Sequence, residues 1–540
     1  MDSGSELVAK PGLGLPATWD PGRDVLVWVG PPSPAMPRGA RVFRVPASSS
    51  GAGSDEESSA GVQLVRTAPE LFRAVLALPG VMPKHALVHR ARETPPELAC
   101  ALALSLKNGL RCRAMARKTV ADNGTTWLTQ GLANLPALGA SPSIDTLRGA
   151  FAGKPAVLVS PGPSLSRNLA QLAALSERAV ILSGTHALAA LLGAGVAPHF
   201  VLCADPGDLG RHWAGLDLAR VGAFVIGATC RAETFGAPVR RRFTFASNGE
   251  IDAWLFEPLG AVPGLATGGS VSCSMLSFAL FLGCDPITLV GQDLSFTERF
   301  YAAESLDGDA AVVPEGAREF RLVKPAGATG IGVPLADGRL QFTPAQRILE
   351  VPGWSGGLVR TTPQLKAFLD WFEAVVPELK GATRLINCTE GGAHIRGMEH
   401  LPLSEASANW PRPVEVEDVL ERAGVGLDRD ARRAKLASWA QGTLRALEEC
   451  VTLARRCRAL AKGGDAAALG RAEKKLVQAL RGAPLVSLVA QGEIAQARED
   501  ARLAHTLAEN LAAAQSLYAV VERAGVVLTE PLRSAWRALS

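Results

Sequence analysis

The chain runs to 540 residues, too many for a single hydrophobic core, so about two to four domains are expected. Apolar residues make up 47% and charged residues 20%, the balance of a folded protein and not of a disordered one. With 56 basic against 52 acidic side chains the formal charge is only +4, which excludes a nucleic-acid binder working through a strongly basic surface.

Apolar stretches such as Ala187 to Ala197 fall short of the roughly 18 residues of a membrane span. The opening Met1-Asp2-Ser3-Gly4-Ser5-Glu6 lacks the basic-then-apolar pattern of a signal peptide. A cytoplasmic protein without a membrane span is therefore expected. The nine cysteines agree with that placement: they are scattered, odd in number and never paired at the spacing of a zinc or redox site. Most lie in apolar runs, where a thiol packs as a small hydrophobe.

Three zones follow one another. Residues 1–148 read as a small α/β domain, with strands at Val25 to Val29, Arg41 to Val45 and His85 to His89 and helices from Pro69 to Leu78 and from Pro96. A hydrophilic insert near 47–60, rich in Ser, Gly and Glu, reads as a mobile loop.

Residues 149–404 alternate strand and helix patterns most clearly. Ala156 to Val159, Ala179 to Leu182, Phe200 to Cys203, Phe224 to Ile226, Phe243 to Phe245, Ile287 to Val290 and Arg384 to Ile386 are short apolar runs. Between the first two, Leu165, Leu169, Leu172 and Leu175 recur at helical spacing. Apolar strands separated by helices predict a parallel sheet covered on both faces, a Rossmann-like doubly wound α/β domain. Ligands of such a sheet bind at the carboxyl ends of its strands. Residues 405–540 show helical stripes, with breaks at Gly463-Gly464 and Gly482-Ala483-Pro484, and predict an all-α helical bundle.

Four polar clusters fall at the predicted strand ends. Ser160-Pro161-Gly162-Pro163-Ser164 joins a strand to a helix, where Gly162 allows close approach and the helix start at Ser164 offers amides to a phosphate. Asp205 follows the strand ending at Cys203. Gly291-Gln292-Asp293 follows the strand ending at Val290, and Gly269-Ser270 opens the helix that leads into it. Asn387, Thr389, Glu390, Gly391, Gly392 and His394 follow the last strand. Packing alone does not require Asp, Asn, Glu and paired Gly at each exit, so a cleft for a nucleotide-like ligand is the economical account.

These segments, in this order, resemble the Maf-type glycosyltransferases of bacterial motility (the DUF115 family), whose core is related to the MptE-like 6-hydroxymethylpterin diphosphokinases. The resemblance is carried by Gly162-Pro163-Ser164-Leu165, Asp205-Pro206, Gly269-Ser270-Val271-Ser272, Gly291-Gln292-Asp293-Leu294 and Thr389-Glu390-Gly391-Gly392-Ala393. Ser160 departs from the pattern, since a glycine is usual there. The resemblance implies transfer of a nonulosonic, sialic-acid-like sugar from a CMP-activated donor to Ser or Thr hydroxyls of a protein acceptor such as flagellin.

Such a reaction needs a group to take the acceptor's proton. Asp293 is the first candidate, Glu390 and His394 the second. Gly162, Ser164, Asp205, Gly269, Ser270, Gly291, Gln292, Asn387, Thr389, Gly391 and Gly392 are expected to bind the nucleotide and sugar. A CMP-sugar demands no cofactor and no metal site is assigned, but Asp205 and Asp293 can hold Mg²⁺ if the donor is a diphosphate. Two other readings stay open: Mg²⁺-dependent transfer of diphosphate from ATP to a pterin alcohol, and a non-catalytic nucleotide-binding scaffold of the same family.

Overall fold

A computed structural model of the chain describes residues 24–29, 41–45, 62–76, 78, 82–83, 85–90, 94–247, 249–260, 262–326, 333–410, 414–504 and 506–540. The hydrophilic insert near 47–60 lies outside the described residues. Contacts divide the chain into two compact units, one of residues 1–123, 458–466 and 490–520, the other of residues 124–457, 467–489 and 521–540.

The first unit holds β1 (Val25–Val29), β2 (Arg41–Val45), β3 (Val62–Leu64), α1 (Ala68–Leu76) and β4 (Ala86–Arg90), with the first part of α2 (Pro96–Ala133). The strands pair in parallel in the order β3-β2-β1-β4. Val25, Val27 and Val29, at alternate positions of β1, share a core with Leu71 and Val75 of α1 and Leu102 and Leu106 of α2. A period of two on the strand thus meets a period of three to four on the helices.

The second unit is built on nine parallel strands. In chain order its elements are α3 (Leu135–Ala140), β5 (Ala156–Val159), α4 (Leu165–Leu175), β6 (Val180–Gly184), α5 (Leu188–Gly193), β7 (Phe200–Cys203), β8 (Ala223–Gly227), α6 (Ala232–Phe235), β9 (Arg242–Ser247), α7 (Glu250–Phe256), β10 (Gly264–Leu265), α8 (Val271–Phe281) and β11 (Ile287–Val290). Short antiparallel strands follow: β12 (Ala311–Glu315), β13 (Glu319–Lys324), β14 (Val333–Pro334), β15 (Leu340–Gln341), β16 (Gln346–Arg347), β17 (Leu349–Pro352) and β18 (Leu358–Thr361). Then come α9 (Pro363–Leu379), β19 (Leu385–Asn387), β20 (Glu399–His400), α10 (Leu403–Ala406) and α11 (Val416–Ala423). The helices α12 (Arg429–Gly463), α13 (Ala466–Gly482), α14 (Leu485–Leu503) and α15 (Leu507–Leu539) close the chain.

The nine strands lie in the order β10-β9-β8-β7-β6-β5-β11-β19-β20, every neighbouring pair parallel. Both faces are covered, as the unbroken apolar runs predict. Ala156 and Leu158 of β5 pack with Phe278 of α8 and Phe372 of α9, whereas Val157 and Val159 pack with Leu165, Leu169 and Leu172 of α4. Phe200 of β7 meets Phe278 edge to face at 5.2 Å between ring centroids. The chain starts this sheet in the middle, at β5, builds outwards through β10, and returns to the other side of β5 as β11. The order of winding therefore reverses between β5 and β11, and the crevice of a doubly wound sheet opens at such a point.

The antiparallel segment between β11 and α9 was not foreseen, because its strands are short and mostly half-exposed. It has a small core of its own around Phe296, Phe320 and Leu322. In the helical part, Arg432 donates to the carbonyls of Leu138, Gly139 and Ser141, satisfying acceptors that the end of α3 leaves unpaired. Trp439 of α12 packs on Trp254 of α7 with centroids 4.6 Å apart.

Among the described residues α15 is long and apolar enough to cross a membrane by length and composition. Glu522 and Arg523 interrupt its apolar run. Within the second unit its last turns are packed: Leu528, Leu532, Ala535 and Leu539 are buried, and Arg533 pairs with Glu448 of α12 at 2.7 Å.

Candidate active site at the carboxyl edge of the parallel sheet

The turn after β5 and the turn after β11 are tied to each other. Gly162 donates its N–H to Gly291 O at 2.9 Å. A side chain at Gly162 would place its Cβ 2.1 Å from Asp293 Oδ2 and 2.5 Å from Gly291 O, so only glycine lets these loops meet. Asp293 then reaches the start of α4. Its Oδ2 accepts from Ser164 Oγ at 2.7 Å, and its two oxygens accept from the Ser164 N–H at 3.2 and 3.3 Å. The helix start offered to a phosphate by the sequence reading thus already carries a carboxylate of the protein. Burial nevertheless pushes the Asp293 carboxyl up to about 6, against the bonds from Ser164 and the charge of Arg167 that pull it down.

The loop after β19 closes on the same carboxylate. Gly392 sits at φ +72°, and a Cβ there would lie 2.4 Å from Asp293 Cα and O. Ala393 donates to Asp293 O at 2.7 Å, and Gly391 lies beside Ser164 and Asp293. Asn387, fully buried, accepts from the Thr389 N–H at 3.1 Å, while its Nδ2 and the Thr389 hydroxyl have no partner among the described residues. Glu390, at φ +55°, uses Oε1 to accept from Asn168 Nδ2 and from the Leu403 N–H, both at 2.9 Å. Arg167 donates to Glu390 O at 3.0 Å. These bonds make Glu390 a brace between β19, α4 and α10. The His394 ring stacks on His400, with centroids 4.0 Å apart.

Ser160 is buried, and its hydroxyl donates to Gln292 Oε1 at 2.5 Å. The residue that replaces the usual glycine therefore adds a side-chain link between the β5 and β11 turns. Ser270 caps α8, its Oγ accepting from the Ser272 N–H at 3.3 Å. Val271 lies beside Gly184 at the end of β6, which brings that helix start, with Gly269, to the same edge. Asp205, exposed beyond β7, accepts from the Gly207 N–H at 2.6 Å.

The structure thus gathers Ser160, Gly162, Ser164, Gly291, Gln292, Asp293, Asn387, Thr389, Glu390, Gly391 and Gly392 into one contiguous group. Asp205, Gly269 and Ser270 stand further along the edge, over β6 and β7, and His394 beyond Gly392 beside β20. The sequence reading missed His186, Arg211, His212, Tyr301, Asp307 and Lys324, which cluster over β6 and β7. Single His, Arg and Lys residues in ordinary loops give no spacing signal, and only the return of the 301–308 segment across the sheet edge unites them.

Among the described residues, the non-glycine residues in the left-handed region are Leu294, Asp307 and Glu390, at φ 51°, 61° and 55°. All three belong to this edge, and strain of that kind collects where a site is held in a fixed geometry. A surface hollow lined by Thr146, Ala150, Val419 and Arg422 contains none of the motif residues. No set of three or more His, Cys, Asp or Glu side chains able to hold a metal occurs among the described residues.

Residues 129–299 match the family described as 6-hydroxymethylpterin diphosphokinase MptE-like. The match takes in the motif stretches at Gly162, Asp205, Gly269 and Gly291, in agreement with the resemblance drawn from those residues, and ends before Thr389. A solved structure similar to the chain is a Maf glycosyltransferase from Magnetospirillum magneticum AMB-1, at 15% identity and a TM-score of 0.48 over 92% of this chain and 74% of that one. None of the curated proteins matches the chain in sequence.

Proposed function

We propose that the protein is a glycosyltransferase that moves a nonulosonic sugar from a CMP-activated donor to a Ser or Thr hydroxyl of a protein acceptor of the flagellin type, in the cytoplasm. The observation that carries this reading is the buried Asp293–Ser164 pair at the point where the sheet's winding order reverses. Burial has raised its carboxyl to about 6, and carboxyls perturbed in this way collect at functional sites. The phosphate of the donor already provides a good leaving group, so the protein's tasks are orientation, stabilisation of phosphate charge and transfer of one proton. The motif residues gather around Asp293, and the Asn387 Nδ2 and Thr389 hydroxyl are buried polar atoms without a partner among the described residues.

The match to the diphosphokinase family supports a second reading, transfer of diphosphate from ATP with Mg²⁺ bridging the phosphates. Asp205 suits a shared Mg²⁺ better than Asp293, since it is exposed and uses one oxygen for Gly207, whereas Asp293 is spent on Ser164. Thermal shifts with CMP, CDP, UDP, ADP and GDP, each with and without Mg²⁺, separate the readings. Metal-independent stabilisation by CMP, followed by sugar transfer to a protein hydroxyl, is the expected result. Stabilisation by adenine nucleotide with Mg²⁺ alone transfers the proposal to the diphosphokinase, and no response to any nucleotide leaves a scaffold.

A further inference from the structure

The second polar group at this edge takes no part in the motifs. His186 follows β6, and Arg211 and His212 follow β7. The segment from Tyr301 to Gly308 crosses in front of them, with Ala302 N–H donating to Pro161 O at 2.9 Å and Leu306 N–H to His186 O at 3.1 Å. It therefore links the Ser164 turn to the end of β6.

Four of the six side chains in this group are hydrogen-bonded or ion-paired. Asp307, 5% exposed, receives Lys324 Nζ at 2.5 Å and Arg211 Nη1 at 3.2 Å. His212 Nδ1 lies 2.7 Å from Thr185 Oγ1. His186 differs. Its ring is held edge-on by His212, at 4.2 Å between centroids, and stacked on Tyr301 at 5.6 Å. Yet neither ring nitrogen has a hydrogen bond to a described residue, and the side chain is only partly buried.

We propose that His186 is a catalytic residue of the transfer, accepting the proton of the acceptor hydroxyl at its unpartnered ring nitrogen. This rests on the glycosyl-transfer reading above. The acceptor O–H bond breaks towards the imidazole, and the oxygen's electron pair forms the bond to the anomeric carbon. The bond from that carbon to the donor's phosphate oxygen breaks, its pair staying on the phosphate; the imidazolium then passes its proton to water. Asp293 stays bonded to Ser164 and holds the start of α4 to the β11 turn.

The surroundings suit a base. Burial, with Arg211, holds the imidazole below its usual value and so neutral at pH 7, while Asp205 and Asp307 favour the imidazolium as it forms. His212, held down to about 3 chiefly by burial, stays neutral and does not compete for the proton. Tyr301, pushed up to about 12 chiefly by burial, stays protonated.

The test compares His186→Ala and His186→Asn with the wild type. Expected are a loss of kcat of about 100-fold or more, unchanged CMP binding by calorimetry, partial rescue of the Ala variant by imidazole, and disappearance of the acidic limb of the rate profile. Transfer at the wild-type rate by a folded variant overturns the assignment. Carbethoxylation of the wild type, mapped by mass spectrometry, answers the same question if a variant fails to fold: modification at His186 should inactivate, and full activity with His186 modified overturns it. A wild type that binds no CMP and transfers no sugar overturns the glycosyl-transfer reading itself, and this inference with it; active wild type with active His186 variants overturns the inference alone.

Discussion

Ser164 gives both its N–H and its hydroxyl to one carboxylate, that of Asp293, with the hydroxyl at 2.7 Å. A carboxylate at a helix start is ordinarily stabilised by the amides and the helix dipole, which lowers its pKa. Here desolvation wins, because three loops that need glycine to meet bury the group almost completely. The folded protein therefore binds a proton at Asp293 more tightly than the unfolded chain does.

The stability of the fold should carry that signature. With the pKa raised from 3.8 to about 6, the contribution of Asp293 is fully present below pH 3.8 and lost as pH rises through about 6. Asp293→Asn keeps an acceptor for Ser164 and removes the titration. It should match the wild type near pH 4 and exceed it at pH 8 by up to roughly 3 kcal/mol. Urea denaturation at both pH values reads the difference, and a gap that does not widen means the carboxyl is ionised without cost.

The glycines of the β19 loop give a sharper test of geometry. Gly392→Ala meets Asp293 backbone at 2.4 Å and must hold φ +72°, so neither side can yield cheaply; the expected cost exceeds about 2 kcal/mol. Gly391→Ala, one residue earlier, meets Ser164 Cβ at an ordinary 3.4 Å and should cost less than about 1 kcal/mol. Equal midpoints in urea for the two variants would contradict the packing of this loop on Asp293.

The parallel sheet was legible because its strands are buried on both faces, and unbroken runs such as Ala156-Val157-Leu158-Val159 have few other uses. The order of the strands was not, since nothing local to Ile287 to Val290 says that it returns beside β5. Glycine pairs and the acid after each strand pointed to the carboxyl edge, and the structure brings Gly162, Ser164 and Asp293 into contact there. What the residue types did not say is that Asp293 turns inwards to the start of α4, or that Glu390 braces Asn168 and the Leu403 amide. Those outcomes depend on loop approach across more than a hundred residues of chain. The His186 group was invisible for the same reason, being assembled from four separate loops and strands.

Ser160 offers a prediction about the turn that departs from the family's pattern. Its hydroxyl is the donor to the buried Gln292 Oε1. Ser160→Ala should cost about 1–2 kcal/mol by leaving that acceptor unpaired. Ser160→Gly should cost slightly more, through added freedom of the unfolded chain. Because the side chain points to Gln292 and not away from the turn, CMP affinity should stay within about twofold in both. Markedly tighter binding by the glycine variant in calorimetry would mean that the serine obstructs the donor.

His199, just before β7, supplies the opposite pH dependence. Its Nδ1 accepts from the Ile181 N–H at 2.9 Å, a bond that only the neutral ring can make. Burial holds the pKa down to about 4, with Glu417 pulling weakly the other way. A depressed folded-state value means that its contribution is complete above the unfolded value of 6.5 and is lost as pH falls through about 4. Asn offers an oxygen where the histidine offers Nδ1 and takes up no proton. His199→Asn should therefore lose less stability than the wild type between pH 7 and pH 4.5, by roughly 2 kcal/mol once partial exposure of the ring is allowed for. Urea midpoints at the two pH values measure it. An identical acid response in both proteins would place the ring nitrogen in water and not on the Ile181 amide.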